Sequence, residues 1–332
     1  MADKQARVGR WQRWLEARWY GNAPVPFWLG WLTRVYGIAS RWRRQRSQVK
    51  AKAQILPVPV VVVGNITVGG SGKTPVVIAL IDALRAAGFR PGVISRGYGR
   101  SSSCVSEVVA DGDPVKYGDE PVLIKQRTGV PVVVGRDRAA AGELLLSHHA
   151  IDVIVSDDGL QHYRLARDIE IAIVDGRRRF GNGRLLPAGP LREPVSRLDE
   201  CDLVLINGQR EADELGFDLI VGQAHALDSS VQRPLESFVG SAVHAVAGIG
   251  DPQRFFIALR SRGLEIIEHP FPDHHAFVPS DFAFAGGRPV LMTEKDAVKC
   301  RTFARSGWYR VPVELALPDD VVGEIFKKLA NP

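Results

Sequence analysis

Cysteine is scarce in this sequence. The 332 residues hold only Cys104, Cys201 and Cys300, and no two of them form a Cys-x-x-Cys pair. That excludes a zinc ribbon and a disulfide framework, and leaves ordinary buried thiols of a reducing compartment. The apolar run from Val25 to Leu32 is too short to cross a bilayer, which takes about 20 residues. No small-residue cleavage site follows it, so it does not read as a signal peptide. No Asn-Lys-x-Asp string follows the strand-like run Leu203–Asn207, which argues against a guanine-reading switch. What is present is an ordinary globular composition, 45% hydrophobic and 24% charged. It suffices for one large α/β domain and a smaller one.

The charge is uneven. Residues 1–53 carry 12 Lys/Arg against Asp3 and Glu16, whereas the rest of the chain is slightly acidic. The same stretch holds six of the seven tryptophans: Trp11, Trp14, Trp19, Trp28, Trp31 and Trp42. Trp favours the headgroup level of a bilayer, with its ring half in and its N–H wet. Trp11, Trp14 and Leu15 share a helical face, with Arg7, Arg10 and Arg13 nearby. Apolar and aromatic residues beside Arg/Lys suggest an amphipathic anchor lying in the membrane plane. The alternative is that these helices pack on the core and bury their tryptophans. Nucleic acid fits a Trp cluster in an apolar, Pro-flanked run less well than an anionic membrane surface does. No obligate protein partner is evident.

Pro57 to Asn65 is a β-branched run that reads as a strand buried on both faces. Thr67, Val68, Gly69, Gly70, Ser71, Gly72, Lys73 and Thr74 follow it, and a helical pattern follows them. Strand, glycine loop and helix in that order are the context of a Walker A phosphate loop. Its backbone N–H groups close around phosphate oxygens. Lys73 is expected on the β/γ-phosphates of a nucleotide and the Thr74 hydroxyl on Mg²⁺. Thr67 stands where that motif usually has its first glycine.

A second apolar strand, from Ile151, ends in Asp157 and Asp158, where P-loop enzymes place a metal-facing carboxylate. One of the two acids is expected to hold Mg²⁺ while the other orients water or substrate; a capped turn before Gly159 is the plainer alternative. After a third strand, Ile169–Asp175, comes a long loop rich in Gly, Pro and Arg that ends in Arg192 and Glu193. Its arginines suit an anionic acceptor, or form a solvated basic loop. For a general base, Asp119 of Gly-Asp-Glu-Pro is a candidate, and equally a helix N-cap. The Asp273-His274-His275 cluster is a base, a loop contact or a metal site, although neighbouring side chains diverge too far to share one ion easily. His148 and His149 read as capping residues.

The pattern restarts near residue 241, with strands from Ser241 and Arg288 around a helix opened by Asp251-Pro252. The chain is therefore divided into a basic Trp-rich segment (1–53), a P-loop core (54–216), a linker (217–240) and a smaller α/β lobe (241–332).

Taken in order, these motifs resemble one family. Val-Gly-Asn-Ile-Thr-Val-Gly-Gly-Ser-Gly-Lys-Thr, Ser-Arg-Gly-Tyr-Gly-Arg, Gly-Asp-Glu-Pro, Asp-Asp-Gly-Leu-Gln-His, Leu-Arg-Glu-Pro, Ala-Gly-Ile-Gly-Asp-Pro, Asp-His-His and Thr-Glu-Lys-Asp-Ala-Val-Lys look like the tetraacyldisaccharide 4'-kinases. Thr67 at the first Walker position is usual there. The resemblance implies a P-loop NTPase-like α/β core with N-terminal amphipathic membrane-associated helices and a second, smaller α/β lobe. It implies transfer of the γ-phosphate of ATP, with Mg²⁺, to the 4'-hydroxyl of a tetraacylated glucosamine disaccharide 1-phosphate. That is a late step of lipid A synthesis at the cytoplasmic face of the inner membrane. It further implies Asp119 as the base, His274 as its dyad partner, and Asp157, Asp158 and Glu193 around the metal and transferring phosphate. Arg96, His162 and Arg192 match positions near the phosphates or acceptor. The competing reading is a membrane-recruited ATPase switch with no phosphoryl acceptor.

Overall fold

The computed structural model describes Trp11, residues 14–50 and residues 54–330. Lys4, Arg7, Arg10, Arg13 and Lys52 of the basic segment lie outside these. The chain gathers into two compact units whose segments interleave, where the sequence pattern divides it linearly. One unit comprises Met1–Lys73, Val153–Phe217 and Pro318–Pro332, the other Thr74–Asp152 and Asp218–Leu317. Interleaving is natural for parallel strands, which need long crossover connections.

The first unit is built on parallel strands in the order Val153–Asp157, Val60–Gly64, Ile169–Asp175, Leu203–Asn207 and Gly216–Phe217. Every residue of the first three is buried, as their unbroken apolar runs require. The C-terminal helix Asp319–Ala330 buries Val321, Ile325 and Leu329, one residue per turn, and packs by the strand Ile169–Asp175. The helix Phe27–Lys50 has two different faces. Leu29 is buried, the Thr33 hydroxyl donates to Leu185 O (3.2 Å), the Tyr36 hydroxyl donates to Arg192 O (3.1 Å), and Arg44 ion-pairs with Glu200. The other face exposes Trp28, Trp31, Val35, Ile38 and Trp42, spaced by three and four residues along one stripe. Trp19 is buried, its indole N–H donating to Pro187 O at 3.0 Å. The tryptophans therefore divide between core and surface.

In the second unit the helix Lys73–Ala86 buries Val76, Val77, Leu80, Ile81 and Leu84 on one face. A small group pairs Pro91–Ser95 parallel with Val132–Val134 and Ser106–Glu107 antiparallel with it. A six-stranded sheet runs in the order Gln232–Arg233, Ala224–Ala226, Trp308–Val311, Val290–Thr293, Val243–Ala247, Ile266–Pro270. Its strands alternate between two apolar clusters. Ala245, Leu291 and Tyr309 join one, and Val246, Met292 and Trp308 the other. The helices Asp119–Thr128 and Glu294–Cys300 pack together. Buried Glu294 helps tie them, pairing with Arg127 (2.5 Å) and with Arg310.

Candidate active site

In the first unit the strand Val60–Gly64 delivers the phosphate loop to the start of the helix Lys73–Ala86. Gly69 and Gly72 sit at φ 104° and 96°, where a side chain would be strained. The segment ending in Arg192 braces the loop through Val68 N–H to Pro190 O (2.8 Å) and Arg192 N–H to Ile66 O (2.7 Å). From the strand Leu203–Asn207, buried Asn207 donates its amide to Ser71 O (2.9 Å). This asparagine, at the position where a GTPase would begin to read guanine, is thus a brace of the loop. The helix has no acid in its first turn, so no carboxylate there opposes the positive end of its dipole.

Lys73 Nζ lies 3.2 Å from Asn65 Oδ1 and 3.6 Å from Asp158 Oδ1. Asp158 also meets Arg192 at 3.1 Å, and Arg192 reaches Gln161 Oε1 at 3.3 Å. The Gln161 amide donates to Asn65 O (3.0 Å) and to Glu193 Oε2 (2.9 Å), and the Tyr163 hydroxyl donates to the other oxygen of Glu193. Burial and the neighbouring Glu193 carboxylate push the Tyr163 hydroxyl well above the usual phenol range. A continuous polar chain thus links Lys73, Asp158, Arg192, Gln161, Glu193 and Tyr163. Asp157 closes its strand fully buried, and Asp158 takes the left-handed backbone conformation (φ 49°) that re-aims its carboxylate. Asp157, Asp158 and Glu193 all offer carboxylate oxygens, the donor type that a hard cation such as Mg²⁺ takes.

The second unit holds the other predicted acid. The helix Asp119–Thr128 begins at Asp119 itself, with Gly118 as its cap. Gly118 (φ 95°) touches Gly97 (φ 65°): a Cβ on Gly97 would fall 2.6 Å from Tyr117 O, and one on Gly118 3.0 Å from Gly97 Cα. Two glycines are thus needed where the backbones cross, and that crossing sets Asp119. Asp119 is 5% exposed, and its carboxylate meets His274 Nδ1 at 3.0 Å, across 155 residues of sequence. His274 sits at φ 59°, and the Tyr98 ring lies 5.0 Å from its own. Lys295 Nζ lies 2.9 Å from Glu120, 3.1 Å from Asp273 and 3.9 Å from Asp119. Lys299 Nζ stands 2.9 Å from Asp296 and 3.8 Å from Asp119.

The electrostatics follow. Burial by itself raises the Asp119 pKa, but the field of Lys295, the His274 hydrogen bond and Lys299 together hold it well below the usual carboxylate range. Burial opposes a charge on His274, yet its bond to Asp119 raises its pKa overall. Burial would lower Lys295 as well, but Glu120, Asp273 and Asp119 hold it firmly as an ammonium. Lys295 and Lys299 are further members of this cluster, beyond the site residues that the sequence motifs point to. The signal was there: two lysines at i and i+4 in Thr-Glu-Lys-Asp-Ala-Val-Lys share a helix face. His275 is separate, paired with Asp281 at 2.9 Å. Arg96 is exposed at the end of the strand Pro91–Ser95, and the His162 N–H closes the Gly159 turn (2.9 Å to Gly159 O). In the arginine-rich loop, Arg179 forks onto Glu214 (2.6 Å for each bond).

A buried parallel sheet, a glycine loop at a helix start, a lysine in that loop and acids at the next strand end define a P-loop NTPase-like protein equipped for phosphoryl transfer. The family follows from comparison. The model of the family described as Tetraacyldisaccharide-1-P 4'-kinase matches residues 25–330, and the chain belongs to that family. A Tetraacyldisaccharide 4'-kinase from Stenotrophomonas maltophilia is 54% identical over 90% of this chain and 92% of its own length. Another from Nitrosococcus oceani is 49% identical over 94% and 93%. The crystal structure of LpxK from Aquifex aeolicus in complex with ATP superposes with a TM-score of 0.75 at 29% identity, covering 91% of this chain and 98% of that one.

Proposed function

We propose that this protein transfers the γ-phosphate of ATP to the 4'-hydroxyl of a tetraacylated glucosamine disaccharide 1-phosphate at a membrane surface. The observation that carries the reading is the Asp119–His274 pair, closed at 3.0 Å by segments 155 residues apart. An ATPase switch has no need of such a proton acceptor. The phosphate loop holds the nucleotide through its N–H groups, and Lys73 offsets the charge of the β/γ-phosphates. Thr74, Asp157, Asp158 and Glu193 would hold Mg²⁺, which would neutralise charge on the phosphates. Asp119 accepts a hydrogen bond from the sugar hydroxyl. As the sugar oxygen bonds to the γ-phosphorus, the bridging P–O bond to ADP breaks and the proton passes to the Asp119–His274 dyad. A weakly basic carboxylate serves here, because a loose transition state leaves most of the proton on the nucleophile until late. Lys295 and Lys299 keep Asp119 ionised. Arg96, His162 and Arg192 serve the phosphates or the acceptor.

The helix Phe27–Lys50 supports a surface-bound enzyme. No helix among the described residues is long and apolar enough to cross a membrane. Its exposed Trp28–Trp42 stripe instead suits the headgroup layer at the cytoplasmic face of the inner membrane. A groove of about 490 Å³ beside it is lined by Trp31, Arg34 and Arg184. The segment 1–53 is the membrane-associated part of this reading, and no protein partner is required.

Incubating the protein with γ-labelled ATP, Mg²⁺ and detergent-dispersed tetraacyldisaccharide 1-phosphate, beside Asp119→Ala, tests the reading. Label on the lipid, lost in the variant, is the expected result. Label released only as free phosphate, equally from both proteins, overturns it in favour of the ATPase.

A further inference from the structure

Glu107, His148 and His149 form a cluster that the phosphoryl-transfer chemistry does not use. Two imidazoles and a carboxylate present ligand atoms that all lie within 4.8 Å of one another. It is the single group of its kind among the described residues. Side chains of consecutive residues usually diverge, and the way this cluster escapes that rule is visible in the backbone. The helix Arg138–His148 ends at its first histidine, and His149 leaves it in an extended conformation (φ −137°, ψ 143°). The turn brings both rings onto one carboxylate. His148 Nδ1 lies 3.3 Å from one Glu107 oxygen and His149 Nε2 2.8 Å from the other. Glu107 is fixed from the other side, in the strand Ser106–Glu107 paired with Val133.

We propose that Glu107, His148 and His149 bind a divalent cation of the zinc class, with water completing the shell. Three observations support it. Ligands about 2.0–2.2 Å from one ion in tetrahedral array are separated by roughly 3.3 Å, close to the nitrogen–oxygen spacings here. Two imidazoles with one carboxylate suit borderline ions such as Zn²⁺ and disfavour Mg²⁺, which takes oxygen ligands. The site lies at the negative end of a helix dipole, which attracts a cation. Each side chain is partly exposed (31% for Glu107, 51% for His148 and 32% for His149), so an ion and its waters have access from solvent. The bound ion would clamp a two-residue edge strand to a helix end.

The test uses the full chain without a histidine tag, in excess Mg²⁺ so that hard-cation sites are filled. Zn²⁺ is titrated calorimetrically and Co²⁺ by its visible absorption, which reports coordination geometry. The expected result is one Zn²⁺ per chain and a Co²⁺ spectrum of four-coordinate type. Binding should weaken at least tenfold in Glu107→Gln and in His149→Ala, each of which removes one ligand. Phosphoryl transfer by Glu107→Gln should be unchanged, and circular dichroism confirms that each variant is folded. Absence of Zn²⁺ binding by the wild type, or equal affinity in the His148→Ala/His149→Ala double variant, overturns the proposal.

Discussion

Replacing Lys295 with methionine keeps the length of the side chain and deletes its charge. In the wild type that one ammonium, 14% exposed, stands 2.9 Å from Glu120, 3.1 Å from Asp273 and 3.9 Å from Asp119. Without it three carboxylates face one another, and the ammonium of Lys299 stands 3.8 Å from Asp119. Deleting one partner of a buried ion pair costs about 3–5 kcal/mol, and partial access to water places this case near the lower figure. An opposite charge within reach depresses a carboxylate pKa by about 1–3 units. Lys299 remains 3.8 Å from Asp119, so the loss should be about one unit, worth about 1.4 kcal/mol. Lys295 also opposes protonation of His274. Its removal therefore raises both members of the dyad, which titrate as a pair. The acid limb of kcat/KM against pH, measured with dispersed lipid acceptor, should move up by about one unit, and Lys295→Arg should restore it. Asp119 and Asp273 are depressed in the folded state. Their contribution to stability is complete above the unfolded value near pH 4 and is lost as pH falls through the folded values. The stability gap between wild type and Lys295→Met should accordingly be full at neutral pH and shrink below about pH 4. A variant with lower stability whose acid limb stays in place would refute the electrostatic role.

Gly118→Ala puts a Cβ at φ 95° and 3.0 Å from Gly97 Cα. It should cost about 1–3 kcal/mol in denaturant unfolding and lower phosphoryl transfer by displacing Asp119. His274 has a raised pKa, so its contribution to stability is complete below the ordinary imidazole value and is lost as pH rises through the folded one. Urea titrations of wild type and His274→Gln should therefore differ most below about pH 6.5 and converge as pH passes the raised folded value; a gap independent of pH would contradict this. Trp31→Ser and Trp42→Ser remove exposed rings from the stripe on Phe27–Lys50. Together they should weaken binding to anionic vesicles roughly a hundredfold, taking about 1.4 kcal/mol per ring withdrawn from the interface, with transfer to detergent-dispersed acceptor largely retained.

Much of the fold was legible because burial on both faces of a parallel sheet writes itself as unbroken apolar runs. The strands Val60–Gly64, Val153–Asp157, Ile169–Asp175 and Leu203–Asn207 each lie within such a run. The phosphate loop was legible for a similar reason: its chemistry needs consecutive residues, so local sequence encodes it. The brace from Asn207 to Ser71 was not legible, because it joins residues 136 apart and a side-chain amide carries no pattern. The interleaving of the two units was hidden too, since strand order is a property of crossovers and not of local periodicity.

The sequence by itself determined the strand–loop–helix around Lys73, the acids that close the next strand, and an N-terminal segment that is both basic and rich in tryptophan. Those are local chemistry and one-dimensional periodicity. The family resemblance paired Asp119 with His274, and only the tertiary structure decided their 3.0 Å contact and the field of Lys295 and Lys299 over them. It also decided that Trp19 is buried while Trp31 is not, and that His148 and His149 share one carboxylate. In each case the deciding quantity is a distance between segments far apart in the chain, or the turn of a backbone at a helix end. Side-chain identity constrains such quantities without fixing them.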